Sequence, residues 1–316
     1  MSHQTVWISA VISIGLSCFA AAAVANLIPS RGHLTEAASE PVSPILPRQT
    51  AFTPLRQPSV AEEAEALVSS EDLRSLNDIS IVSEGFELEP VIRAQLVDDI
   101  ASLYDLAHGL FNWLPDPYHT INVRLLVDRG QFLEEQMKAF GAVYSNTAYY
   151  RHKTREAVVY RQSEHQYTRQ LVLHEVAHAI LFDNVSGIPR WLNEGLAEYL
   201  SHATLKKNNV RYRQLAAQVR NAASPIELFE ELLDKDGRDW RQASASLKSR
   251  YYSAAYLLVG FMSADDQRRD VLRNWLHGVH MEHYLRSRGV RQVLEDHSQI
   301  SLQALAQQWS YWLHGH

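Results

Sequence analysis

Two short stretches constrain this chain more than anything else in it. Residues 171–182 read LVLHEVAHAILF, and residues 191–200 read WLNEGLAEYL. In the first, His174 and His178 stand four apart, so a helix stacks them on one face with Glu175 projecting beside them and aliphatic residues filling most other positions. In the second, Glu194 and Glu198 share a face in the same way. Polar groups on such apolar helices are costly to bury unless they meet one another or a cation. The spacing therefore predicts two helices folded back on each other across the short turn 183–188, with Pro189 opening the second. The plainer readings are a pair of core histidines and two exposed acids on a surface helix.

Two imidazoles four apart plus a carboxylate from a second helix form the three-ligand set of a catalytic zinc, with Glu175 placed to act on water rather than on the metal. The zinc must be held without thiolates, because Cys18 is the only cysteine. That single cysteine also excludes an intramolecular disulfide and any cysteine-rich zinc module.

Around these stretches the hydrophobic period changes along the chain. Residues 79–86 and 121–127 read as strands, residues 90–113 as a long amphipathic helix and 131–140 as a shorter one. Residues 142–150 and 157–160 read as two more strands about a polar turn at 152–155. Everything after Tyr167 reads as helical. The expected fold is α+β: a small mixed sheet with helices, followed by an all-helical C-terminal half. No nucleotide-binding glycine loop or nucleophile elbow is present, and 36 acidic against 30 basic residues argue against nucleic acid as a partner.

The N-terminal region differs in kind. Residues 6–25 form a run of twenty without a charge, read as an export segment: a signal peptide cleaved near Ala23-Val24-Ala25, or a retained membrane anchor. Six of the eleven prolines fall between Pro29 and Pro58, marking residues 26–77 as a tether that ends in a short helix-prone stretch. The folded body is expected over 78–262, with residues 263–316 as C-terminal helices packed on it. The location implied is extracytoplasmic, periplasmic or anchored facing the periplasm, with the membrane as a partner if the segment is uncleaved.

HEVAH followed by WLNEGLAEYL resembles the gluzincin zinc metallopeptidases, the group that holds thermolysin and aminopeptidase N, and most closely their compact bacterial members with a peptidase MA-like domain. The resemblance covers roughly residues 78–262. It implies one Zn²⁺ per chain on His174, His178 and Glu194, Glu175 as general base, and Glu198 as the carboxylate hydrogen-bonded to a zinc histidine. It also implies a tyrosine that stabilises the oxyanion, for which Tyr252 aligns best and Tyr251 next; both could instead pack the C-terminal helices. Metzincins would need Gly and a third His where Leu181 and Asn184 stand.

The departures bear on substrate mode. Gluzincin aminopeptidases hold the substrate's free amine with a glutamate in a Gly-Ala-Met-Glu-Asn strand, whereas residues 141–145 here read Gly-Ala-Val-Tyr-Ser. Gly141–Ser145 is expected instead to be an edge strand able to pair with an extended peptide. The resulting expectation is an endopeptidase acting on a peptide or protein. Beside it stand an aminopeptidase using another anchor, such as Glu156 or Glu164, and a peptide-binding envelope module that keeps the zinc site without turnover. Two further groups carry less: His277, His280 and His283 read as a solvated helix face, and Lys206, Lys207, Arg211, Arg213 and Arg220 as a basic surface.

Overall fold

The computed structural model describes residues 79–111, 120–143, 145–222, 224–235, 237–285 and 289–315. The export segment and the tether lie outside them, and among the described residues no helix is long and apolar enough to cross a membrane.

The chain opens β1 (Ile79–Glu84), α1 (Pro90–Phe111), β2 (Ile121–Leu126), α2 (Arg129–Phe140), β3 (Ala148–Arg151), β4 (Glu156–Tyr160). The four strands form one mixed sheet in the order β1-β2-β4-β3. Its inner pairs are parallel, with Ile79 opposite Ile121 and Asn122 opposite Glu156, and β3 runs antiparallel to β4 along the edge. Alternation sorts the side chains of β2 between two layers, as a period of two requires. Ile121, Val123 and Leu125 enter the main core with α1, whereas Leu126 joins Phe132 of α2, Tyr149 and Val158 on the other face. The α2 side is also tied by charge. Arg124 of β2 and Arg151 of β3 each donate to Glu135 of α2 at 3.0 Å, and Arg124 donates to Glu84 at 2.8 Å.

The expected strand at Gly141–Ser145 is not there. Asp128 caps the start of α2, and Gly141 ends it at φ 69°, its N–H returning to the Met137 carbonyl, so this glycine stops a helix rather than opening a strand. The loop that follows is locked by buried Gln136, which donates to the Ser145 carbonyl and accepts from the Ser145 N–H, both at 2.8 Å. The sheet edge on this side therefore belongs to β3, three residues further on, where Ala148, Tyr149 and Tyr150 are buried, and Tyr144 lies outside the described residues.

From His165 onward the described residues are helical: α3 (His165–Asn184), α4 (Arg190–Thr204), α5 (Asn208–Ala222), α6 (Pro225–Asp234), α7 (Gly237–Gln242), α8 (Ala245–Met262), α9 (Asp266–Leu285), α10 (Val290–Asp296) and α11 (Leu302–His314). The architecture is α+β, mostly helical with a small mixed sheet. Helix α3 lies against β3 and β4 on one side and α4 on the other, and α4 in turn packs on α8. The α4–α8 approach is unusually close, since a Cβ built on Gly195 would sit 2.6 Å from the Ala255 carbonyl oxygen. Between α3 and α4 the chain turns at Gly187, φ 73°, where a Cβ would meet His283 at 2.8 Å. His280 accepts from the Ser186 N–H at 3.1 Å. Of the three histidines expected on a solvated face, His277 and His283 are exposed, and His280 is half-buried because the turn needs a partner for its N–H and α9 lies beside it.

Candidate metal centre

The turn brings the two motif faces together. His174 Nε2 and His178 Nε2 are 3.1 Å apart, and Glu194 Oε2 lies 3.7 Å and 3.5 Å from them. Tetrahedral ligands at about 2.0–2.1 Å from a zinc ion are separated by about 3.4 Å, so the triangle has the size that such an ion needs. These three side chains are the metal-capable group among the described residues. His174 and Glu194 are only 4% and 6% exposed.

The outer partners of the rings decide which nitrogens face inward. Glu198 Oε2 is 3.3 Å from His174 Nδ1, and Asn193 Oδ1 is 3.2 Å from His178 Nδ1. Both oxygens can only accept, so each Nδ1 carries a proton and each Nε2 presents a lone pair to the centre. Glu194 Oε2 makes no hydrogen bond. Three lone pairs then converge on one point, and a divalent cation is the species that satisfies all of them at once. The donor set, two imidazoles and one carboxylate without thiolate, fits zinc with positions left open.

Charge is distributed to match. Burial opposes ionisation of Glu194, but His174 and His178 while protonated, together with the Arg190 guanidinium, outweigh it and hold its carboxyl far below the usual range. Glu198 is likewise held well below, with His202 and His174 overcoming its burial. Glu175, 2% exposed, goes the other way: burial raises its pKa despite the two histidines, and the main chain of Tyr150 in β3 hydrogen-bonds its carboxyl. Neighbouring carboxylates pushed in opposite directions are what separate a ligand from a proton acceptor.

Tyr251 and Tyr252 resolve differently. Tyr251 is buried, stacks on Trp240 at 5.3 Å and donates to Glu231, so it belongs to the packing of α8. The Tyr252 hydroxyl accepts from Arg190 Nη2 at 3.2 Å, and that same nitrogen is 3.3 Å from Glu194 Oε1. Tyr252 thus reaches the centre through Arg190. Three contributors were absent from the sequence reading. Asn193 neighbours the ligand in WLNEGLAEYL and could have been found by asking what holds His178. Arg190 lies one turn before Glu194 and signals itself only by that spacing. His202, which contacts Glu198 at 3.1 Å and Gln170 at 2.9 Å, had no signal short of the fold. Of the basic stretch, Arg211 approaches Glu198 at 3.9 Å and Arg220 donates to the Leu313 carbonyl, so neither is simply surface.

No protein-family model matches this sequence, and no curated protein is similar to it, so the reading of the centre rests on the geometry above.

Proposed function

We propose that the protein is a zinc-dependent peptidase of gluzincin type, an endopeptidase acting outside the cytoplasm. One observation carries the reading: two imidazole lone pairs and a buried carboxylate oxygen converge on a point beside a second buried carboxyl, Glu175, that takes no part in the triangle. His174, His178 and Glu194 hold the metal, which when bound supplies Lewis acidity that lowers the pKa of water and polarises a carbonyl. Glu175 accepts the proton of the attacking water and passes it to the leaving amine, a task that its raised pKa favours. Tyr252 donates a hydrogen bond to the carbonyl oxygen as charge grows there, which counts only in the transition state. Glu198 and Asn193 keep the two rings in the required tautomer.

An internal cut is favoured because β3, the sheet edge whose main chain meets Glu175 at Tyr150, contains no carboxylate to hold a terminal amine. Of the two acids ahead of the zinc helix, Glu156 is engaged by Arg151 at 3.4 Å and by Thr154, whereas Glu164 stands at the N-cap of α3. The uncharged run at 6–25 supports delivery to the cell envelope.

The test is a peptide library offered with free and acetylated N-termini to the wild-type chain, with and without chelator, and to Glu175→Gln. The expected outcome is internal cleavage of both halves of the library, abolished by chelation and reduced at least about a hundredfold by the substitution while zinc stays bound. Stepwise trimming confined to free amines would make the protein an aminopeptidase. Full activity in Glu175→Gln would remove the assigned mechanism.

A further inference from the structure

Arg190 occupies a position that neither metal ligation nor ordinary packing explains. It stands in the first turn of α4, four residues before Glu194, with its side chain 17% exposed. Its Nη2 is 3.3 Å from Glu194 Oε1 and donates to the Tyr252 hydroxyl at 3.2 Å. Its guanidinium lies over the Trp240 ring at 5.7 Å, and the same ring meets Tyr252 edge-on at 5.1 Å. One planar cation is therefore held between an aromatic wall, a carboxylate and a phenol from three different helices.

Each contact has a chemical consequence. A carboxylate approached by a cation at Oε1 turns that oxygen toward the cation, which leaves Oε2 as the oxygen facing His174 and His178 at 3.7 and 3.5 Å. A phenol oxygen that accepts from a guanidinium has a lone pair committed there, so its own O–H must point away from the cation. Both contacts come from one nitrogen, Nη2, whose two N–H directions are fixed by the guanidinium plane, whereas a freely rotating lysine ammonium can reach either partner without fixing both directions.

We propose that Arg190 is a positioning residue that couples the metal ligand to the oxyanion donor: it keeps Glu194 monodentate through Oε2 and sets the direction of the Tyr252 O–H. This rests on the peptidase reading above, and the experiment separates the two. Zinc affinity is measured by competition with a chromophoric chelator for the wild-type chain, Arg190→Met and Arg190→Lys. Turnover of a peptide that the wild type cleaves is measured for Tyr252→Phe alone and combined with Arg190→Lys. Methionine keeps an unbranched stem against Trp240 without the charge, so a purely structural role leaves zinc affinity within about threefold of wild type. Positioning instead costs about 10–100-fold in Arg190→Met, the scale for losing a group that orients a ligand, and most of that loss is recovered in Arg190→Lys. It also makes the second pair non-additive: Tyr252→Phe lowers kcat at least tenfold in the wild-type background but less than threefold in Arg190→Lys, where the hydroxyl has already lost its anchor. Equal effects of Tyr252→Phe in both backgrounds, or unchanged zinc affinity in a folded Arg190→Met, would overturn the inference while leaving the zinc site intact. A wild-type chain that binds no zinc would overturn the peptidase reading itself, and this inference with it.

Discussion

Glu135 and Glu175 show how one residue type is given opposite tasks by its partners. Glu135 is flanked by Arg124 and Arg151, whose hydrogen bonds overcome its partial burial and lower its pKa from 4.5. A carboxyl whose pKa falls on folding contributes stability that is fully present above the unfolded value and is lost as pH drops through the folded one. Glu135→Gln is accordingly expected to cost about 2 kcal/mol at pH 7, the scale of a hydrogen bond to a charged group, with the deficit shrinking steadily below pH 4.5. Urea unfolding of both chains at pH 7 and near pH 3 checks it, and a deficit independent of pH would mean that packing, not charge, is what Glu135 supplies. For Glu175 burial outweighs the lowering effect of His178 and His174, which is why it suits proton transfer and Glu135 does not.

Between elements, the α3–α4–α8 stack does what neither helix pair could do alone. Gly195 lets the backbone of α4 approach α8 so closely that a methyl group would sit 2.6 Å from the Ala255 carbonyl. Because Gly195 follows Glu194 directly, any shift of α4 away from α8 also moves the carboxylate. Gly195→Ala is expected to destabilise by about 2 kcal/mol through overpacking, despite the better helix propensity of alanine, and to weaken zinc binding along with it. Thermal unfolding and a zinc competition assay on the same preparation measure both. A variant as stable as wild type would show that the backbone contact relaxes without cost. The α2 terminus carries a related lesson: Gly141 serves as a helix stop, so the sheet edge falls to β3 and its main chain, through Tyr150, meets Glu175.

For the molecule as a whole, a metal held by the His174–His178–Glu194 triangle would be a cross-link. Its ligands come from two helices joined by a turn, and the turn rests on α9 through Ser186, Gly187, His280 and His283. A ligand bound only by the folded state stabilises it by about 4 kcal/mol at a thousandfold excess over Kd. Zinc is therefore expected to raise the melting temperature by about 10 °C over chelator-treated protein. His178→Ala is expected to melt at one temperature with or without chelator. Calorimetry with and without chelator reads this directly, and identical wild-type transitions would show that no metal links α3 to α4.

What the sequence determined by itself is what depends on local spacing. Residues four apart share a helix face whatever surrounds them, so His174 with His178 and Glu194 with Glu198 were legible, as was the change from strand to helix period near Tyr167. The convergence of His174, His178 and Glu194 followed because only a short turn separates the two helices. Tertiary structure alone decided which partners meet across elements. Arg190 and Tyr252 are 62 residues apart, and Ser186 and His280 are 94 apart. Their contacts depend on how α4, α8 and α9 pack, and no periodicity encodes that. Gly141 belongs to the same class: glycine permits either a strand start or a left-handed helix stop, and the reciprocal Gln136–Ser145 bonds that choose between them exist only in the folded chain.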